Sequence, residues 1–222
     1  MLLYLIPGLS SDRRLFAHLD LARHEVRYLE WSPMPVGSSL ADYARKLAAA
    51  VDPARPHALV GVSMGGMVAQ EMAAMTHPER VVIVSSWKRP EEMPRSLRLL
   101  RGTHPERILT PKVWEHIRPL ARWQMGVERP EEVALFNALV ASHSIDQLRI
   151  QINACLTWNG PAIPVQGLVH IHGDQDRLMP IDRIRGAHRI HGGSHFMVFN
   201  RAGEVGDAVK AALRTAPAPG GI

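Results

Sequence analysis

The sequence predicts an α/β fold with a mostly parallel sheet wound on both faces. Three observations carry that expectation. Five short apolar runs recur along the chain: Leu2 to Ile6, Val26 to Trp31, Ala58 to Val62, Val81 to Ser85 and Gly167 to His172. The runs at Ala58, Val81 and Gly167 lack polar alternation, as strands do when both of their faces are covered. Helix-like segments lie between the runs, and strand alternating with helix is the pattern of a doubly wound sheet.

Taken in order, the first run ends at Pro7-Gly8. It has no basic flank and is shorter than the apolar stretch of a secretion signal, so it reads as a strand. Ser38 to Ala50 opens with N-cap candidates and repeats apolar residues at helical spacing. Met67 to Met75 continues the helical pattern and ends before His77-Pro78. After Trp87 the alternation stops. From Lys88 to about Ala141 the chain is proline-punctuated and helical, carrying Trp114, Trp123 and Phe136 but no clear strand. That stretch is too long for a plain connection and reads as an inserted helical subdomain. The core pattern resumes over Ser142 to Trp158. The expected plan is a core of residues 1–87 and 142–214, an insertion of 88–141, and a small, proline-rich, disordered tail at 215–222.

Composition narrows the function classes. The chain has 222 residues, 46% hydrophobic and 21% charged, the balance of a soluble globular protein. No apolar run is long enough to span a bilayer, so a cytoplasmic location without a membrane partner is the expectation. The formal net charge is +5, yet the arginines are scattered among acids, as in Arg89 to Arg95, and no block of like charge appears. No nucleic-acid partner is expected; a small-molecule substrate is. Cys155 is the only cysteine, which excludes an intramolecular disulfide. No basic group stands at a useful spacing, so an inert, packed thiol is expected.

The chemistry centres on Gly61-Val62-Ser63-Met64-Gly65. This G-x-S-x-G follows a strand and opens a helix, the context in which such a turn exposes its serine. A phosphate-binding loop is excluded, because no G-K-[ST] ending, nearby lysine or G-x-G-x-x-G is present. A serine hydroxyl needs a base to take its proton, and the base needs an orienting acid. Downstream, Leu168 to Asp176 runs from an apolar strand into a glycine turn with two carboxylates, Asp174 and Asp176. Then His188 to Phe196 offers a short apolar piece, a Gly-Gly turn and His195, with His191 as a rival base expected inside the strand. His170 and His172 form an H-x-H pair. No third ligand is identifiable, so strand packing is expected and a metal site is not.

Pro7-Gly8-Leu9, the elbow, Gly173 to Asp176, and Gly193 to His195 together resemble the α/β-hydrolase fold, specifically its cap-bearing, single-domain serine esterases. The resemblance spans nearly all of Met1 to Leu213. It implies a mostly parallel sheet with a helical cap inserted after Val81 to Ser85. It further implies Ser63 as nucleophile, His195 as general base and Asp176 as the acid at the end of a Gly-x-x-Asp turn. The backbone N–H groups of Leu9 and Met64 would form the oxyanion hole. Cleavage of a small ester or thioester through an acyl-serine, with no cofactor and no metal, follows as the expectation. A C–C bond hydrolase, an amidase or peptidase, a lyase and a ligand-binding sensor are the alternatives. Two departures stand out: Pro7-Gly8 replaces the His-Gly of many members, and the interval from Asp176 to His195 is short enough to reduce Ile181 to Ile184 to a turn.

Overall fold

The structure is a computed structural model that describes residues 1–214, so the tail expected at 215–222 lies outside the described residues. Its strands are β1 (Leu2–Ile6), β2 (Glu25–Tyr28), β3 (His57–Val62), β4 (Arg80–Val84), β5 (Val169–Gly173) and β6 (His188–Ile190). They form one sheet in the order β2-β1-β3-β4-β5-β6, with every neighbouring pair parallel. The helices are α1 (Leu40–Ala48), α2 (Met64–Thr76), α3 (Arg95–Leu99), α4 (Pro111–Met125), α5 (Pro130–Ala141), α6 (Ile145–Thr157), α7 (Met197–Asn200) and α8 (Ala202–Arg214).

The runs expected at Leu2, Ala58, Val81 and Gly167 are β1, β3, β4 and β5. Two expectations are corrected. The run expected to continue to Trp31 leaves the sheet after Tyr28, because Leu29 makes one last bond to the Leu5 carbonyl and Trp31 then turns towards Gly8. His191 lies just past the three-residue β6 rather than within it, and its side chain is exposed. The Ile181–Arg183 segment is one 3-10 turn, as the short interval implied.

Alternating side chains of each buried strand feed two cores. Tyr4, Ile6, Leu59 and Ile83 pack with Tyr43 and Leu47 of α1 and with Met67 and Met72 of α2. Leu3, Leu5, Val60 and Val82 pack on the other face with Val205 and Val209 of α8. Each such side chain, fully buried, contributes roughly 1.5–3 kcal/mol of transfer free energy. Helix α1 begins with a reciprocal cap. Ser39 Oγ accepts from the Asp42 N–H at 3.2 Å, while the Asp42 carboxylate accepts from the Ser39 N–H at 2.7 Å.

From β1 the chain crosses to β2 on one side, whereas β3 pairs on the other. The crevice at that reversal, beyond the carboxyl ends of β1 and β3, is where parallel sheets of this kind hold ligands. Pro7-Gly8-Leu9 and Ser63 stand at those two ends. Helices α3 to α6 all fall between β4 and β5. Helix α4 is held by Thr110, whose Oγ1 accepts from the Val113 N–H at 3.2 Å, and by Gly126 in the left-handed region. None of its side chains is fully buried. No helix among the described residues is long and apolar enough to cross a membrane.

Candidate active site

Ser63 sits between β3 and α2 with φ 53° and ψ −120°, a backbone conformation that few non-glycine residues occupy. The glycines around it are required by space. A Cβ on Gly61 would lie 2.2 Å from the Gly65 carbonyl oxygen, and one on Gly65 would lie 2.3 Å from the Ile6 oxygen. Strand and helix therefore approach more closely than any side chain permits, and the serine between them is forced outward. Behind it, Ser86 Oγ donates to the Ser63 carbonyl at 2.7 Å and fixes the turn from β4.

Ser63, Asp176 and His195, from three separate strand ends, converge. The His195 Nε2 is 3.0 Å from Ser63 Oγ, and its Nδ1 is 2.7 Å from Asp176 Oδ2. All three are buried, with 8% or less of each residue exposed. The other Asp176 oxygen, Oδ1, accepts from the N–H groups of Leu178 at 3.0 Å and Met179 at 2.7 Å. With Oδ1 so occupied, Oδ2 is the oxygen that faces His195 Nδ1, and the ring is held with Nε2 towards the Ser63 hydroxyl.

The two loops that deliver Asp176 and His195 are locked together. The Gln175 N–H donates to the Gly193 carbonyl at 2.9 Å, and a Cβ on Gly173 would lie 2.1 Å from that oxygen. The rival acid and base pair with each other instead. His191 Nδ1 is 2.8 Å from Asp174 Oδ2, and the Gly192 N–H donates to Asp174 Oδ1 at 2.7 Å. These contacts, the His191 bond first, hold the half-buried Asp174 carboxyl below its usual range. Asp174 thus shapes the turn, away from Ser63.

His170 and His172 pack in β5 behind Asp176. His172 Nε2 donates to the Met179 carbonyl at 2.7 Å, so its Nδ1 must accept from His170 Nε2 at 3.0 Å. Burial pushes both imidazoles down, His170 to about 2, and they are neutral. Among the described residues no group of three or more His, Cys, Asp or Glu is placed to hold a metal ion. Cys155 is half-buried, and desolvation raises its thiol to about 12, well above the range of a reactive thiolate.

The loop after β1 carries Leu9 beside the serine: a Cβ on Gly8 would be only 3.5 Å from Ser63 Cβ. Among the described residues nothing accepts from the N–H of Leu9 or of Met64. Three groups hold this loop in place of the absent histidine. Trp31 Nε1 and Ser11 Oγ each donate to the Gly8 carbonyl at 2.7 Å. Gln151 of α6, itself buried, accepts through Oε1 from the Ser10 N–H at 2.8 Å. Sequence reasoning missed Trp31, Ser86 and Gln151 as parts of the site. Ser86 alone had a local signal, since it ends the strand neighbouring the elbow.

Over Ser63 and His195 lies a cavity of about 300 Å³. Its walls are Leu9, Trp87 and Ile152 from the core together with Trp114, Met125 and Phe136 from the inserted helices, among others, and no Asp, Glu, Lys or Arg lines it. The insertion is tied to the histidine loop, because the Phe196 N–H donates to the Met125 carbonyl at 3.0 Å.

The sequence profile of the alpha/beta hydrolase family matches residues 3–208. No curated protein is detectably similar to the chain in sequence. Among solved structures, the chain is similar to a malate-bound thermophilic esterase from Thermogutta terrifontis, with 16% identity, a TM-score of 0.73, and coverage of 98% of this chain and 91% of that one. It is similar to an inhibitor-bound epoxide hydrolase from Bacillus megaterium at 12% identity and a TM-score of 0.72, covering 96% and 93%. The type II thioesterase YbtT of the yersiniabactin NRPS/PKS pathway gives 19% identity and a TM-score of 0.63, covering 98% and 94%. Likeness at these identities establishes a shared fold.

Proposed function

Because the chain belongs to the alpha/beta hydrolase family, we propose that it is a serine hydrolase cleaving small esters or thioesters. The observation that supports this most is the hydrogen-bonded run from Asp176 through His195 to Ser63, ending at the floor of a neutral, apolar cavity. In this reading His195 Nε2 takes the Ser63 proton as Oγ attacks the acyl carbon. The N–H groups of Leu9 and Met64 receive the oxyanion, each donor being worth roughly 3 kcal/mol of barrier. His195 then protonates the departing alcohol or thiol, and water, activated the same way, hydrolyses the acyl-serine. Residues 88–141 act as a cap that closes the acyl side. An acyl group carrying a charge would lose its hydration there without gaining a partner, which favours neutral, apolar acyl groups. An epoxide hydrolase reading is disfavoured, since the elbow presents a hydroxyl and the resemblance puts aspartate there in such enzymes.

The test compares wild type with Ser63→Ala on p-nitrophenyl esters from acetate to octanoate, alongside labelling by a fluorophosphonate. Turnover and labelling are both expected to vanish in the variant. Persistence of either at the wild-type level would refute the acyl-serine reading.

Gln151 provides a second check on the same reading. Gln151→Met keeps the side-chain length and removes the acceptor for the Ser10 N–H. The stranded donor costs about 1–3 kcal/mol. The expected result is a kcat roughly tenfold or more lower with KM little changed, because the loop contributes through the transition state. An unchanged kcat would separate Gln151 from the oxyanion loop.

A further inference from the structure

A second space, a solvent-open groove of about 340 Å³ rimmed by the exposed Pro111, Glu115, Ala141 and Ser144, adjoins the first near the ends of α4, α5 and α6. The two share Ser10, Trp114, Val140 and Leu148 and nothing else. Ser63 and His195 line only the inner one, while Arg118, His143 and Ser144 line only the outer. Trp114 stands in the first turn of α4, Val140 near the end of α5 and Leu148 in the first turn of α6. Side chains from three helix ends thus border both spaces, and the half-buried indole is the largest of them.

Resting on the serine-hydrolase reading, we propose that Trp114 sets the upper limit of acyl length: neutral apolar acyl groups that fit the inner chamber are accepted, and longer ones abut the indole. Atoms forced against it incur overpacking strain, so acceptance falls off steeply with length. Immediately beyond the indole lies the outer groove, open to solvent at Glu115 and Ser144, into which Val140 and Leu148 extend the apolar lining. Removing the indole therefore joins two existing spaces, whereas trimming a residue that lines only the inner chamber adds no more than its own volume. Leu97 is such a residue.

The experiment measures kcat/KM for p-nitrophenyl butyrate, octanoate and dodecanoate with wild type, Trp114→Ala and Leu97→Ala. In Trp114→Ala the dodecanoate-to-butyrate ratio rises by roughly tenfold or more, the scale of one or more methylenes admitted to a fitted pocket. In Leu97→Ala it rises far less. An unchanged ratio in Trp114→Ala, or an equal rise in Leu97→Ala, overturns the length limit. Trp114 is only half-buried and packs on the margin of the core that holds Phe136 and Phe196, so the truncation removes a peripheral contact rather than a central one. Should thermal melting show Trp114→Ala unfolded, Trp114→Leu and Val140→Ala, which trim the same border, are judged by the same ratio. A Ser63→Ala arm separates the two readings. Turnover surviving it defeats the acyl-serine, while Ser63-dependent turnover with a fixed ratio defeats the length limit alone.

Discussion

Asp176→Asn lowers kcat by about 10⁴-fold while the protein stays folded, by analogy with the effect of turning the orienting acid of a serine hydrolase into an amide. The reason lies in which atoms face which. Asp176 Oδ1 is committed to the Leu178 and Met179 N–H groups, which an asparagine satisfies only with its carbonyl oxygen. Its NH₂ group is then left pointing at His195 Nδ1, where Asp176 Oδ2 now accepts. Facing a donor, Nδ1 gives up its proton, the proton moves to Nε2, and Nε2 has no lone pair left for the Ser63 hydroxyl. The side chain keeps its shape and most of its bonds, so KM and the melting temperature change little. Steady-state kinetics and the rate of fluorophosphonate labelling check this together. A kcat within tenfold of wild type would remove Asp176 from the mechanism.

Gly65→Ala is expected to be among the most destabilising single methyl additions in the core. The added Cβ would fall 2.3 Å from the Ile6 oxygen and 2.4 Å from the Pro7 oxygen, both backbone atoms with no rotamer in which to retreat. Strand β1 and helix α2 must separate, at a cost of about 3 kcal/mol. Gly203→Ala is the matched control. It lies in α8 with nothing within 4 Å of its new methyl group, and it stabilises the helix by up to about 1 kcal/mol. Urea unfolding of the pair is expected to move the midpoints in opposite directions. Similar midpoints would mean that the elbow relaxes more readily than its geometry implies.

The sheet was legible because parallel strands covered on both faces must be continuously apolar, and Ala58 to Val62 and Val81 to Val84 are. Strand β2 was harder to delimit. At the sheet edge it has only Val26 half-buried, so hydropathy does not mark where pairing stops. Three-residue β6 is too short to carry a period at all. Ser63, Asp176 and His195 were reachable from motif and order because each occupies a turn with steric demands written in neighbouring glycines. Gln151 was not. Its bond to Ser10 spans 141 positions and follows from where α6 docks, which no local pattern encodes. Trp31 was hidden for a related reason, since an aromatic residue after a strand reads as core until its Nε1 is seen on the Gly8 carbonyl.

The placement of the insertion has a practical corollary. Gly102, exposed and with open space around it, divides the chain so that Ser63 and the loop after β1 fall on one side. Gln151, Asp176 and His195 fall on the other. Neither half holds a complete set, so the molecule has a built-in parting line for a split reporter, in which return of the proposed activity would register the reunion of two fragments.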